Sequence, residues 1–410
     1  MSAASPSPFA ASDPGLTLSF GRLFVLALAL SLGAAVSLGV TRFAYGLLLP
    51  PMRADLQWSY TLAGAMNTAN ALGYFLGALL TPWLLRRLDG AGVLLLGTWL
   101  ASLFMGLTGF FTDAAPLLLQ RLLAGMASAL LFIAGGLLAA RLGAQMPSRN
   151  GLLLGVYYGG TGLGIVLSAL LVPPLLDAAA QVSHGWAWAW WVLALACALA
   201  SALLAWPARV LRQIQAPAPS AADAVAVFRW RDFAPGLAGY AMFGVGYIGY
   251  MTFVVALLRE QGVAAGRITA FYALLGVAVV ASSRIWAGLL DRYRGGQPQA
   301  LLNGLLGLAI FIPVVSGYFP MLMVSGLMFG GIFLSVVAST TALVRHNLPP
   351  SQWAAGISAF TTVFALGQIV GPSVVGWIAD GPGGLTRGLA FSACALWLGA
   401  LIALRQRARA

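Results

Sequence analysis

GRLFVLALALSLGAAVSLGVTRFAYGLLL, residues 21–49, is an almost uninterrupted apolar run that has Arg22 at its start and a second arginine, Arg42, well inside it. About 20 apolar residues are enough for a helix to cross the hydrocarbon core of a membrane. Across the whole chain of 410 residues, 60% are hydrophobic and only 8% are charged. Soluble domains carry about 25% charged residues. The sequence therefore predicts an all-α membrane protein whose helices face lipid.

Twelve apolar runs are long enough to be membrane helices. They lie at residues 21–49, 60–85, 92–111, 115–140, 151–176, 186–206, 236–258, 267–290, 299–317, 321–344, 354–378 and 388–404. The longest polar stretch, residues 207–235, separates six helices in an N-terminal half (21–206) from six in a C-terminal half (236–404). Residues 1–20 and 405–410 are predicted tails. Pro50 and Pro51 are expected to end the first helix, and Ser59 to cap the second.

The arginines give the predicted orientation, because cytoplasmic loops carry an excess of basic residues. With both termini in the cytoplasm, 15 arginines fall on the cytoplasmic side, and only Arg53, Arg259, Arg267 and Arg387 fall outside. The cytoplasmic arginines then account for most of the net charge of +12, and the chain is predicted to be a multi-pass protein of the bacterial inner membrane. Nucleic-acid binding is not expected, since it needs a basic soluble face. We call the two ends of the bundle "inner" and "outer" on this basis.

Residues that carry catalytic or metal chemistry are scarce and scattered. Cys197 and Cys394 are the only cysteines and lie inside apolar runs, and His184 and His346 are the only histidines and lie in separate predicted loops. No metal site or cofactor is expected. A membrane enzyme would need clustered catalytic side chains at one face, and a sensor would need a large soluble domain. The chain is therefore not predicted to be an enzyme, and its expected partners are lipid and a small-molecule substrate, with the protein acting as a monomer.

Two short segments occupy corresponding places in the two halves. PWLLRRLDGAG begins at Pro82 after the second helix, and AGLLDRYRGG begins at Ala287 after the eighth. Weak internal repeats of this kind are typical of transporters. The second segment resembles the motif G-x-L-a-D-R-x-G-R of the major facilitator superfamily, with matches at Leu289, Asp291 and Arg292. LLLQRLLAGMASAL, residues 117–130, resembles the fourth-helix motif of the same superfamily.

The stretch TRFAYGLLLPPMRADLQWSYTLAGAMNTANALGY, residues 41–74, is more specific and resembles the YbfB/YjiJ branch. The resemblance implies the major facilitator fold, in which the first, fourth and seventh helices line a central cavity. It also implies a charged network at the inner helix ends that serves gating or structure. The expected members are Arg86, Arg87, Arg149, Arg284, Asp291 and Arg292. Arg86 stands where the motif has its acid, so that acid's role does not carry over to the first half.

Arg42 and Arg121 are arginines inside apolar runs, and each charge at the bilayer centre costs about 2.5–3.5 kcal/mol. All ten acids fall in loops or at predicted helix ends, so no carboxylate is expected beside these two arginines. Arginine binds carboxylate or phosphate in a bidentate fork. The missing anion is therefore predicted to be the substrate. The alternatives are an arginine that reaches the lipid interface and, for Arg121, an ion pair with Asp113.

Polar and aromatic residues at helical spacing extend this candidate site. They are Tyr45, Asn67, Asn70, Tyr74, Tyr240, Phe243, Tyr247, Tyr250 and Gln368. Tyr45 would share a face with Arg42 at a spacing of three. Interhelical hydrogen bonds and ring packing are the alternative explanation for the others. The tryptophans of WAWAWW, residues 186–191, are interpreted as an interfacial belt.

The sequence thus predicts a secondary transporter that moves a small organic solute, anionic or amphipathic, by alternating access. An efflux carrier for hydrophobic or drug-like compounds is the alternative, and a non-transporting membrane sensor is less favoured. Proton-driven carriers usually titrate a buried acid or histidine. No such residue is evident mid-membrane, so a co-transported or exchanged ion is left open.

Overall fold

The computed structural model describes residues 19–212 and 228–408, which form helices and short turns without any strand in those ranges. The helices are α1 (Phe20–Ala34), α2 (Tyr45–Asp55), α3 (Tyr60–Arg87), α4 (Gly90–Thr108), α5 (Ala114–Ala144), α6 (Asn150–Ala178), α7 (Trp186–Arg212), α8 (Ala234–Glu260), α9 (Ala265–Ile285), α10 (Ala287–Arg292), α11 (Gln297–Val315), α12 (Phe319–Asn347), α13 (Trp353–Ala379) and α14 (Gly384–Ala403). A π-helical segment, Ala35–Val40, follows α1.

Eleven helical stretches of the described chain are long and apolar enough to cross a membrane. The first of them, Phe20–Asp55, joins α1, the π-helical segment and α2. Helix α3 has 28 residues but is not among the eleven, because polar residues such as Asn67 and Asn70 interrupt its apolar sequence. The prediction of an all-helical membrane fold is confirmed.

Several predicted boundaries change. Pro50 and Pro51 lie inside α2, which continues to Asp55, so the prediction that they end the first helix is wrong. A proline removes one backbone N–H, and a membrane helix can absorb that loss by local adjustment. Helix α7 continues to Arg212, six residues beyond the predicted end at 206. The predicted tail up to residue 18, the central-loop residues 213–227 and residues 409–410 lie outside the described residues.

Ser59 caps the second long helix, as the sequence predicts. Its side-chain oxygen accepts a hydrogen bond from the backbone N–H of Leu62 at 3.1 Å. This bond satisfies one of the free N–H groups in the first turn of α3. The cap fixes the outer end of α3, where contacts between the two halves are made.

Glycines let the helices of each half approach at backbone distance. A Cβ at Gly73 in α3 would overlap the carbonyl oxygen of Leu122 in α5, and a Cβ at Gly125 would overlap that of Asn70. In the C-terminal half, Gly330 of α12 lies in the same way against the carbonyl of Leu275 in α9. In lipid there is no hydrophobic driving force between helices, so close van der Waals contact at small residues stabilises such crossings.

The two halves meet through three helix pairs: α3 with α13, α6 with α9, and α2 with α8. Gly64 lies against the carbonyl of Pro372, Gly162 against that of Gly276, and Gly46 against that of Met251. These contacts fall at the outer end and in the middle of the bundle. The side chains of Arg86 and Arg292 at the inner end are exposed. Contacts between the halves thus close the bundle at its predicted outer end.

Candidate functional site

The first membrane-spanning stretch is irregular where the sequence places Arg42. Within and after the π-helical segment, Thr41 and Phe43 donate their backbone N–H groups to residues five positions earlier, Val36 and Leu38. Residues 41–44 form a turn before α2 resumes. The carbonyls of Thr41 and Phe43 accept hydrogen bonds from side chains of other helices, Arg121 and Tyr272. Local π-type distortions of this kind are common at functional sites.

Arg42 lies in the protein interior and is only 2% exposed. Its Nε and Nη2 atoms are buried and have no hydrogen-bond partner among the described residues. The guanidinium carbon lies 5.7 Å from the centre of the Tyr74 ring, a cation–π distance. This placement does not fit the alternative in which Arg42 reaches the lipid interface. A buried guanidinium with free donors calls for an anion from outside the protein.

Arg121 is equally buried but better satisfied. It donates from Nη1 to the Thr41 carbonyl at 2.8 Å and from Nη2 to Oδ1 of Asn67 at 3.3 Å. Its guanidinium carbon lies 4.9 Å from the Tyr45 ring centre and 5.7 Å from that of Trp190. Only its Nε lacks a partner among the described residues. Arg121 thus supplies a second positive charge that is held in a fixed position.

A hydrogen-bond relay connects Arg121 to the other half of the protein. The amide of Asn67 accepts from Arg121 and donates from Nδ2 to Oγ1 of Thr252 on α8, at 2.6 Å. Thr252 in turn donates to the backbone carbonyl of Ile248. A change in the position of Arg121 would therefore reach the interface between the halves through two side chains.

No carboxylate lies next to these arginines in the described ranges. The acids in that part of the chain all lie at or beyond helix ends, namely Asp55, Asp89, Asp113, Asp177, Asp232, Glu260, Asp291 and Asp380. Asp113 is exposed, and it forms no ion pair with Arg121 among the described residues. The two guanidinium groups instead repel each other.

The structure separates the other sequence candidates into groups. Tyr45 donates to the carbonyl of Ala63 and faces Arg121, so it does not share a face with Arg42. The turn at residues 41–44 removes the helical spacing on which that prediction relied. Tyr250 shares a hydrogen bond with Ser325 at 2.7 Å and stacks on Phe329 of α12, so its contacts lie within the C-terminal half.

The remaining candidates divide between packing and the site. Asn70 donates to the backbone carbonyl of Arg121 at 3.2 Å, a contact that joins α3 to α5. Tyr247 donates to Oε1 of Gln368, and its hydroxyl lies within electrostatic reach of Arg42. Tyr240 and Phe243 stack beside Tyr247 on α8.

Sequence reasoning missed several neighbours of the arginines. Trp190 is fully buried against Arg121, so the interfacial-belt interpretation is wrong for this tryptophan. Thr41 contributes a backbone carbonyl that no side-chain pattern could indicate. Thr252 is a polar residue in an apolar run, and the need of Asn67 for a buried partner was the available signal.

The family of this fold follows from a sequence comparison. The model of the family described as "Uncharacterised MFS-type transporter YbfB" matches residues 34–404, which include the site and nearly all of both halves. The chain belongs to this family of major facilitator transporters. The resemblance seen at residues 41–74 is thereby confirmed.

Two curated relatives match shorter stretches of this transporter. "Probable anion transporter 6, chloroplastic" of Arabidopsis thaliana is 30% identical over 129 residues, which are 31% of this chain and 24% of that protein. The multi-drug resistance efflux pump PmrA of Streptococcus pneumoniae is 28% identical over 138 residues, which are 31% of this chain and 33% of the pump. The match thus spans a quarter to a third of these relatives.

Solved structures share the fold of this transporter at low identity. A bacterial homologue of the human lysosomal transporter Spinster, in an inward-facing and unoccupied conformation, superposes with a TM-score of 0.72 and 15% identity over 96% of this chain and all of that one. The nucleoside transporter NupG gives a TM-score of 0.65 and 14% identity over 93% of this chain and 96% of that one.

The outer closure of the transporter centres on Asp380, directly after α13. Its carboxylate accepts from the backbone N–H groups of Tyr60 at 2.7 Å and Thr61 at 2.8 Å, and from the Thr61 hydroxyl at 2.6 Å. An acid of one half thus caps the N-terminus of α3 in the other half, where the helix dipole favours negative charge. Tyr60 also donates to Glu260 of α8, and the Arg53 guanidinium lies 3.7 Å from the Tyr60 ring centre.

The inner charged network predicted from the family motif is not assembled here. All six of its expected members are exposed: Arg86, Arg87, Arg149, Arg284, Asp291 and Arg292. None of them forms an ion pair within the described ranges. The helix is interrupted by a turn at Trp286, between α9 and α10, so Arg284 and Asp291 do not share one continuous helix. The gating or structural role of these residues stays a prediction.

Acidification should weaken the outer closure through Asp380. Burial acts to raise the pKa of Asp380, but the hydrogen bonds from Thr61 and Tyr60 and the charge of Arg53 outweigh it, so the pKa lies below its usual value. The ionised carboxylate of Asp380 therefore stabilises the closed state fully at any pH above the pKa of a free aspartate. This stabilisation is lost as the pH falls through the lowered pKa that Asp380 has in the closed state. Spin labels at Ala54 and Gly381, exposed on opposite halves, should move apart on acidification.

Two variants separate Asp380 from its neighbours. Asp380→Asn should lengthen the same distance at neutral pH and remove this part of the pH dependence. Glu260→Gln should leave the pH dependence that is due to Asp380 unchanged. An unchanged distance in Asp380→Asn would show that this carboxylate does not hold the halves together.

Proposed function

We propose that this protein is a secondary transporter for small organic anions, which bind between the two halves at Arg42 and cross by alternating access. The described state is closed at the outer end, so the anion reaches Arg42 from the inner side. An outward-open state would form when the contacts of α3 with α13, α2 with α8, and α6 with α9 separate.

One observation carries the proposal. Arg42 is 2% exposed, and two of its three guanidinium nitrogens have no partner in the described ranges. A charge in that position destabilises the protein unless an anion joins it. A carboxylate or phosphate would accept both free donors in a bidentate fork. Arg121, fixed by Thr41 and Asn67, adds to the positive potential that attracts this anion.

The name of the Arabidopsis thaliana relative, a probable anion transporter, points the same way. That relative is matched over only part of its length, so its name supports the substrate class and no particular substrate.

The finer topology also belongs to this proposal. Helix α3 would be a twelfth membrane span, because it has 28 residues and packs between α5 and α13, where its asparagines have protein partners. Both termini would then face the cytoplasm, in line with the arginine distribution in the bacterial inner membrane. The protein would act as a monomer, and any coupling would use an ion that is co-transported or exchanged.

Efflux of hydrophobic compounds is the second candidate. The Tyr74 ring lies 5.7 Å from the Arg42 guanidinium carbon, further rings stack on α8 and α13, and the PmrA pump matches part of the chain. A carrier for neutral or cationic drugs would not need a buried arginine with free donors. The two candidates therefore differ in the charge of the ligands that they predict.

Ligands of matched shape and opposite charge test the proposal. Purified protein in neutral detergent should be stabilised against thermal unfolding by hexanoate, 2-naphthoate or inorganic phosphate, because a ligand that binds only the folded state raises its stability. Hexylammonium and 2-naphthylmethylammonium should give no shift. Stabilisation by these amines and not by the anions would contradict the proposal and favour the efflux candidate.

A further inference from the structure

Four aromatic rings of the C-terminal half lie nearly parallel beside the arginine site. We call them the C-half ring stack: Tyr240, Phe243 and Tyr247 on α8 and Phe364 on α13. Phe364 lies against all three rings of α8, with centroids 4.9–5.6 Å apart and planes within 11–20° of parallel. Tyr247 is also within 9° of parallel to Phe333 of α12. Flat faces of several rings are thus turned the same way.

A second group of rings lies in the N-terminal half. We call it the N-half ring cluster: Tyr74, Phe132, Tyr157 and Tyr158. Phe132 is its centre, with the rings of Tyr74, Tyr157 and Tyr158 at 6.5, 6.0 and 5.7 Å. The hydroxyl of Tyr157 donates to the Phe132 carbonyl at 2.7 Å, which fixes this cluster on α5 and α6.

Arg42 lies where the two groups approach each other. The Tyr74 ring of the N-half ring cluster lies 5.7 Å from the guanidinium carbon of Arg42, and Tyr247 of the C-half ring stack interacts electrostatically with both Arg42 and Tyr74. Tyr74, Phe132 and Phe364 are partly exposed, in contrast to Phe243, which is fully buried. Each ring group thus offers a partly exposed ring to the body of a ligand whose anion is held by Arg42.

From this arrangement we infer that the substrate is a planar aromatic carboxylate. Its carboxylate binds the free donors of Arg42, and its ring lies between the N-half cluster at Tyr74 and Phe132 and the C-half stack at Phe364. The inference rests on the anion site proposed above and adds the shape of the ligand to its charge. Aromatic faces favour an offset-stacked or edge-on ring over a puckered saturated one.

Binding of two carboxylates with the same carbon skeleton tests the inference. We expect 2-naphthoate to bind the full-length protein about tenfold more tightly than decahydro-2-naphthoate, by isothermal titration calorimetry. The saturated compound is at least as apolar, so a preference for the flat one reports ring contacts rather than hydrophobicity. Phe364→Leu and Phe132→Leu should reduce the preference to about twofold.

Phe110→Leu is the matched control, because Phe110 is 70% exposed and lies near Trp191, outside both ring groups. It should leave the preference unchanged. Equal affinity for the two carboxylates, with both lost in Arg42→Ala, would overturn the aromatic inference and leave the anion site standing. If Arg42→Ala keeps its affinity for both carboxylates, the aromatic inference and the anion site are both wrong.

Discussion

Replacing Arg42 with alanine should abolish anion binding without harming the fold. Truncating one partner of a buried charged pair costs about 2–5 kcal/mol, so the affinity for 2-naphthoate should fall about 30-fold or more. The ligand-free variant should be at least as stable as the parent, because it loses a buried charge that has free donors and no protein anion among the described residues. Calorimetry and thermal unfolding measure the two effects separately.

Two further variants complete this comparison. Arg42→Lys keeps the charge but loses the planar fork, so its affinity should lie between those of the parent and Arg42→Ala. Arg209→Ala removes the same side chain from an exposed position on α7 and should change neither quantity. A marked loss of ligand-free stability in Arg42→Ala would instead indicate a structural role for this arginine.

Replacing Gly64 with leucine should stop transport in a protein that still folds. Gly64 lies at backbone contact with Pro372 of the other half, and a side chain there overlaps the Pro372 carbonyl. Overpacking of this kind typically costs about 1–3 kcal/mol, which would make the outer-closed state about 5- to 150-fold rarer. The Ala54–Gly381 spin-label distance should lengthen, and exchange of labelled 2-naphthoate in proteoliposomes should fall.

Leucine substitutions at two other glycines are the controls for Gly64→Leu. Gly304 of α11 has open space where a Cβ would lie, so Gly304→Leu should leave transport and the distance unchanged. Gly73 packs α3 on α5 within one half, so Gly73→Leu should reduce the yield of folded protein instead. If Gly64→Leu transports at the parent rate, the contact between α3 and α13 does not separate during the cycle.

The membrane fold could be predicted because it depends on local sequence. Apolar runs of sufficient length define the helices, and Ser59 caps α3 as its position indicates. Pro50 and Pro51 misled the prediction because proline usually ends helices in water, whereas α2 continues through both. Neighbouring helices can satisfy the backbone groups that proline frees in a membrane.

The site could be predicted only in part. Arg42 and Arg121 stand out because charges are rare in apolar runs, and both are buried as expected. Their neighbours follow from the irregular backbone at residues 35–44 and from helix packing, neither of which helical spacing can show. Trp190 is the clearest case, since its sequence neighbours indicate lipid contact and its own position is buried against Arg121.

The outer closure was the least accessible to sequence reasoning. Asp380 bonds to Tyr60, which is 320 residues away, and acids at helix ends are ordinary in any membrane protein. The contact appears only when both halves are placed together. The same holds for the relay from Arg121 through Asn67 to Thr252, which crosses between α3 and α8.

The most direct test of the anion site is the position of a heavy-atom ligand. In crystals of the full chain soaked with 4-iodobenzoate, anomalous scattering should show one iodine peak between Tyr74 and Phe364, with the carboxylate on the Arg42 guanidinium. An Arg42 side chain paired with a carboxylate of the protein, and no iodine between the two halves, would contradict the account.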